Sequence, residues 1–310
     1  MINTLTLNPA IDSIIYLDRF RRNVTNRIQK TAVTMGGKGT HVSMNLGIMD
    51  CPSRAFGFGF GENGKKIIEV LTQSGAIPCF VYDETGENRV NYLIVEHETK
   101  DSTLVTNQGP TPTKEQTAQL YQLIQDQIQS GDLLALSGDA SNFSDPYIYN
   151  QIIDSLADKS VKVFLDASGE SLKNCLKQQP FLVKPNDDEL SWLTGKTLSS
   201  EKDIISAIAD LDQYNIEIVA VSLGGKGSII RAWDRLYRIT PPKVNVFNTV
   251  GCGDCLVAGL LYGFDRSDEL IETLRFATAA SAAMAEEALS VNFDLARATQ
   301  LISEVKIETI

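Results

Sequence analysis

Between residues 113 and 221, helix-like stretches alternate with short apolar runs, which limits the chain to a few architectures. Helical periodicity in Thr113 to Ser130 leads to Leu133-Leu134-Ala135-Leu136. Pro146 to Asp158 then reads as helix, Val161 to Leu165 as strand, Glu201 to Tyr214 as helix and Glu217 to Val221 as strand. Such a succession builds βαβ units. The apolar runs do not alternate with polar residues, so their strands should be buried on both faces of a mostly parallel sheet with helices on both faces. In a doubly wound α/β sheet of this kind, ligands bind where the carboxyl ends of the strands meet loops.

The first third has a different texture. Ile11 to Phe20, Ile28 to Thr34, Val90 to Glu96 and Ser102 to Thr106 read as short amphipathic strands between glycine and charged turns. They suit a small β-sheet lid, drawn from about residues 11–35 and 88–107, on a single domain spanning residues 1–310. The plainer arrangement is that these strands extend the main sheet. A lid would exclude water from a reacting group.

The 310 residues, 43% of them hydrophobic, suffice for one large core. A net charge of −11 and no long lysine or arginine run argue against binding a nucleic-acid backbone, which rests on positive patches. Ile2 to Leu7 is a strand pattern rather than a signal peptide, and no apolar run reaches ~18 residues, so a cytoplasmic protein without a membrane partner is expected. Cysteines at 51, 79, 175, 252 and 255 form an odd, scattered set that suits reduced thiols. Cys252 and Cys255 spell C-x-x-C, but a zinc or redox site would need a second pair or more histidines than His41 and His97.

Asn248-Thr249-Val250-Gly251-Cys252-Gly253-Asp254 opens an apolar helical run. Gly251 and Gly253 let backbone approach an anion, and the N–H groups of a helix beginning near Cys255 would point at it. Asp254 would then stand beside a transferring phosphoryl group as a base. A glycine turn capped by an aspartate fits the same segment. Gly36-Gly37-Lys38-Gly39-Thr40-His41 precedes another helical pattern and makes a second anion site without the Walker A order. Lys38 together with Arg89, a forked guanidinium, would suit a phosphate already on the substrate.

Lys184-Pro185-Asn186-Asp187-Asp188-Glu189 follows the apolar Phe181-Leu182-Val183 and puts Asn186 and Glu189 one turn apart. These oxygen ligands suit magnesium held through waters. An N-cap with an acidic first turn explains the segment as well. Ser222-Leu223-Gly224-Gly225-Lys226-Gly227 would let a nucleotide lie on bare backbone, or form an ordinary turn into a strand at Ser228 to Arg231. Asp12 has two acceptor oxygens for sugar hydroxyls.

In order, Asn8-Pro9-Ala10-Ile11-Asp12, Gly36-Gly37-Lys38-Gly39, Arg89-Val90-Asn91, Lys184-Pro185-Asn186 with Glu189, Ser222-Leu223-Gly224 and Val250-Gly251-Cys252-Gly253-Asp254 resemble the ribokinase-like (PfkB) carbohydrate kinases over nearly the whole chain. The opening, the G-G-K-G cluster and the R-x-N strand resemble the branch containing tagatose-6-phosphate kinase and 1-phosphofructokinase. The resemblance implies a doubly wound domain with a β-sheet lid that often joins a dimer contact. It implies ATP-dependent phosphorylation of a ketohexose monophosphate, with Asp254 as base and the backbone of Gly251, Cys252 and Gly253 as anion hole. It further implies magnesium organised by Asn186 and Glu189, ATP contacts from Lys184, Ser222, Gly224 and Gly227, and sugar contacts from Asp12, Gly37 and Asn91. Lys38 and Arg89 would hold the substrate's phosphate.

Three positions depart from that branch. His41 replaces an asparagine, and its imidazole can donate to sugar or phosphate oxygens with a charge that depends on pH. Asp139-Ala140-Ser141 replaces Ser-Leu-Pro and adds a carboxylate that would repel a sugar phosphate. Cys252 replaces alanine or serine, and a thiol at a helix N-terminus tends toward a lowered pKa and oxidation. Asp139 and His41 motivate one rival, a sugar-phosphate-binding or regulatory protein that has lost the chemistry, against which intact Asp254, Asn186 and Glu189 argue. Within enzymes the rival is a kinase of an unphosphorylated sugar or nucleoside, which would have little use for Lys38 and Arg89 together.

Overall fold

The computed structural model describes residues 1–99, 101–138 and 140–310. Its strands are β1 (Ile2–Thr6), β2 (Ala10–Leu17), β3 (Lys30–Gly36), β4 (Ser53–Phe60), β5 (Ile77–Asp83), β6 (Arg89–Glu96), β7 (Ser102–Val105), β8 (Leu133–Gly138), β9 (Lys162–Ala167), β10 (Leu182–Val183), β11 (Ile218–Ser222), β12 (Ser228–Ala232), β13 (Arg235–Thr240) and β14 (Lys306–Thr309). Its helices are α1 (Lys38–Ile48), α2 (Gly61–Gln73), α3 (Lys114–Gln127), α4 (Ile148–Asp154), α5 (Gly169–Cys175), α6 (Asp187–Thr194), α7 (Glu201–Ala209), α8 (Cys252–Asp265), α9 (Leu270–Ala285) and α10 (Leu295–Leu301).

Ten strands form the main sheet in the order β14-β13-β12-β11-β10-β9-β8-β1-β4-β5. Every neighbouring pair from β5 to β11 is parallel. The strands are buried on both faces, as their unalternating apolar runs require: along β8, Leu134 and Leu136 enter one core while Leu133 and Ala135 enter the other. The first core lies under α3 to α7 and the second under α1, α8, α9 and α10. The sheet is mostly parallel, as expected, and at one edge β11 to β14 pair antiparallel. From β11 to β13 the connections are too short for a crossover, with only Trp233 and Asp234 joining β12 to β13, whereas β14 returns to the edge after α10.

β1 lies between β4 and β8, so the winding direction reverses beside it. In open α/β sheets this is where a crevice opens at the carboxyl ends of the strands. The remaining strands make a separate four-stranded sheet, β3-β2-β6-β7, with β2 parallel to β6 and antiparallel to β3. Its inner side chains Ile14, Tyr16 and Leu93 pack on Val250 and Leu289, next to the start of α8. Among the described residues no helix is long and apolar enough to cross a membrane.

Candidate active site

Helix α8 begins at Cys252, three residues earlier than the sequence suggests, so Asp254 stands inside the first turn rather than ahead of it. The turn depends on Gly251 at φ 86, where an added Cβ would lie 1.9 Å from the carbonyl oxygen of Ser290. First-turn N–H groups have no intrahelical acceptors and carry the positive end of the helix dipole. Asp254 is 7% exposed, and a Cβ built on Gly253 would sit 3.6 Å from Lys184 Nζ. The expected lowering of the Cys252 pKa does not occur. Burial, with the Asp254 charge beside it, pushes that thiol up to about 12, which makes it a poor thiolate.

His41 is not directed at a sugar. Its Nδ1 lies 2.6 Å from Asp254 Oδ2 and its Nε2 2.6 Å from the carbonyl oxygen of Met35, so both ring nitrogens are engaged. Asp12 Oδ2 lies 4.0 Å from Nε2. Asp12 and Asn91 are cross-strand partners between β2 and β6, which brings Asn91 Nδ2 to donate to Asp12 Oδ1 at 2.7 Å. Thr106 Oγ1 donates to Asn91 Oδ1 and accepts from Arg89 Nη1 at 3.1 Å, and Arg89 also donates to the Asn107 carbonyl. The small sheet thus joins Asp12, Asn91, Thr106 and Arg89 in one bonded series, whose Asp12 end faces His41.

Gly37, at φ 103, starts α1 and sends Lys38 across to β9. Lys38 Nζ and Lys184 Nζ lie 3.0 Å and 3.2 Å from the same oxygen of Asp166, which is 2% exposed. Burial opposes the charge of Asp166, yet the Lys184 and Lys38 ammoniums hold its carboxyl below the usual range. Burial likewise opposes Lys38, and Asp166, Asp254 and Glu189 push its ammonium above the ordinary lysine range. Lys38 and Arg89, expected on one phosphate, therefore have different neighbours. Sequence reasoning passed over Asp166, although it directly follows the Val161–Leu165 run, the kind of position that holds the other site residues.

Asn186 caps α6: its Oδ1 accepts from the Glu189 N–H at 2.7 Å, and Glu189 Oε2 accepts from the Asn186 N–H at 2.9 Å. The capping reading of this segment is therefore present in full. Ser222 sits beside it through a parallel bridge to Asn186. The following loop closes with Leu223 N–H donating to the Gly227 carbonyl and Gly227 N–H to that of Gly224. This is a turn between antiparallel strands, and its glycine backbone faces no side chain at Gly224.

The model of the pfkB family of carbohydrate kinases matches residues 5–294. The chain belongs to that family. The 1-phosphofructokinase of Bacillus subtilis (strain 168) is 32% identical over 309 residues, covering 99% of each chain. The structure of Escherichia coli phosphofructokinase-2 in complex with substrates and products superposes with a TM-score of 0.91 at 23% identity over 98% of each chain, which shows a shared fold.

For a carbohydrate kinase the oxygen donors fit a hard cation. Asp166 Oδ2 is buried without a hydrogen-bond partner, and Glu189 commits only Oε2 to its cap. No group of three or more His, Cys, Asp or Glu side chains among the described residues forms a cage. Magnesium keeps waters and shares substrate phosphates, so the oxygens of Asp166 and Glu189 are of the kind it would take. The departure at Asp139 lies outside the described residues.

Proposed function

We propose that the protein transfers the γ-phosphoryl group of ATP to the primary hydroxyl of a ketohexose monophosphate, giving the bisphosphate. What supports this reading is the neighbourhood of Asp254, in a glycine-led helix turn, with Lys38 of the Lys38–Asp166–Lys184 cluster and, through His41, with Asp12 of the Asp12–Asn91–Arg89 series. Fructose 1-phosphate is the first candidate, since the B. subtilis relative is named 1-phosphofructokinase. Tagatose 6-phosphate and fructose 6-phosphate follow.

In this account Asp12, Asn91 and the Gly37 backbone hold sugar hydroxyls, and Arg89 exchanges its contacts with Thr106 and Asn107 for the substrate's phosphate. Asp254 accepts the hydroxyl proton as the oxygen attacks phosphorus in line and ADP leaves. The first-turn amides of Gly251 to Gly253 and the ammoniums of Lys184 and Lys38 face the charge that develops. Ser222, Gly224 and Gly227 provide the nucleotide's backbone platform, and Asn186 and Glu189 would hold magnesium. Bound magnesium would neutralise phosphate oxygens of ATP. The small sheet acts as the lid, and its exposed Val33, Tyr92, Leu104 and Val105 suit a homodimer contact. We place the enzyme in the cytoplasm.

The test is ATP consumption with fructose 1-phosphate, tagatose 6-phosphate, fructose 6-phosphate, free ribose and adenosine, for wild type and Arg89→Ala. Turnover of one ketohexose phosphate, with its KM raised roughly 10- to 100-fold in Arg89→Ala and that of ATP little changed, is expected. Turnover of ribose or adenosine that ignores Arg89 would replace this reading with a kinase of unphosphorylated acceptors.

A further inference from the structure

His41 is fully enclosed between α8 and the end of β3, and its two contacts determine where its protons lie. A carbonyl oxygen only accepts, so the contact with Met35 requires a hydrogen on Nε2. The 2.6 Å contact between Nδ1 and Asp254 Oδ2 requires one more proton between them. On Nδ1 it makes an imidazolium–carboxylate pair; on Oδ2 it makes Asp254 a neutral acid, unable to serve as a base. The titratable and charged groups facing the ring are Asp254 from α8 and Asp12 from β2; Lys38, at the start of its own helix, interacts with Asp254. Burial disfavours a charged ring, but the two carboxylates favour it, with Asp254 acting more strongly than Asp12.

We propose that His41 is a positioning residue that clamps the catalytic base: its imidazolium holds Oδ2 of Asp254 and leaves Oδ1 to face the substrate hydroxyl. The proton taken from the hydroxyl goes to Oδ1, while Nδ1 keeps its own. The positive ring also offsets the Asp254 charge as the triphosphate approaches. When the ring loses a proton, Met35 retains the hydrogen on Nε2, so a bare Nδ1 lone pair faces a carboxylate oxygen and the clamp opens. An asparagine here, the residue usual in the resembling branch, donates an N–H that never titrates. The clamp therefore makes turnover sensitive to alkaline pH. Its catalytic half rests on the base role proposed for Asp254; the location of the ring protons rests on the contacts alone.

The chain has only two histidines, and His97 is exposed, so ring NMR of the full protein shows two resonances and His41→Asn identifies one of them. His41 is expected to be charged at pH 7, and its midpoint should fall in Asp254→Asn, where the carboxylate that favours the charged ring is gone. In wild type, kcat should fall as pH rises through the His41 midpoint while the KM for ATP stays flat, and His41→Asn should lack that limb. A His41 that is neutral at pH 7 would overturn the clamp. So would an alkaline limb that persists in His41→Asn, or wild-type kcat that does not follow the NMR midpoint. If His41→Asn fails to fold, the wild-type and Asp254→Asn titrations still decide the proton's location. Should every sugar phosphate fail as a substrate, the kinase reading falls while the NMR result stands separately.

Discussion

Asp166 places one buried carboxylate oxygen between two ammonium groups, and that arrangement makes it the most exacting polar side chain in the crevice. Replacing it with asparagine leaves Lys184, itself 4% exposed, without a counter-charge. A buried charge that loses its partner destabilises a fold by about 3 kcal/mol. Asp166→Asn should show a loss of that order in urea unfolding; an unchanged midpoint would mean that water already screens the lysines. The residue scale is also where the sequence was least legible. Lys184 and Asn186 stood out because they precede a helix after an apolar run, and Asp254 because it follows a glycine pair and opens an apolar helix. The pairing of His41 with Asp254 joins residues 213 apart, and nothing local in the chain announces such a contact. The Cys252 thiol shows the same limit: its helix position favours a thiolate, and the burial that reverses this is a property of the tertiary structure.

At the scale of elements, the start of α8 carries the most weight. Its glycine is needed twice, for the left-handed φ and for the close approach of the Ser290 carbonyl. Gly251→Ala combines backbone strain of about 1–3 kcal/mol with a clash that must move the turn. The variant should melt at a lower temperature and lose most of its turnover, since the first-turn amides shift with the turn. Normal melting with normal turnover would show that the turn tolerates a side chain and that its geometry is not critical. Strands β8, β9, β10 and β11 were marked by their apolar runs, because burial on both faces demands such composition, whereas β4, β5, β13 and β14 drew no such expectation. The antiparallel edge was not marked, because β12 and β13 reverse through short turns that set direction only once the neighbouring strand is known.

For the molecule as a whole, the reversal of strand order beside β1 explains why residues from the whole length of the chain converge. Thr6, Gly138, Ala167, Val183 and Ser222 end strands at the same edge of the sheet, and the small sheet is set against the helix that bears Asp254. Fold class was legible because helix and strand periodicities alternate so regularly. The site was legible as segments, and its assembly needed the topology. The central claim is that Asp254 accepts the proton during phosphoryl transfer, and the most direct measurement is kcat for Asp254→Asn with ATP, magnesium and the best ketohexose phosphate, alongside the Kd for ATP. The account predicts kcat lower by roughly two to four orders of magnitude with ATP affinity little changed. Turnover near that of the wild type would contradict it and remove Asp254 from the base role.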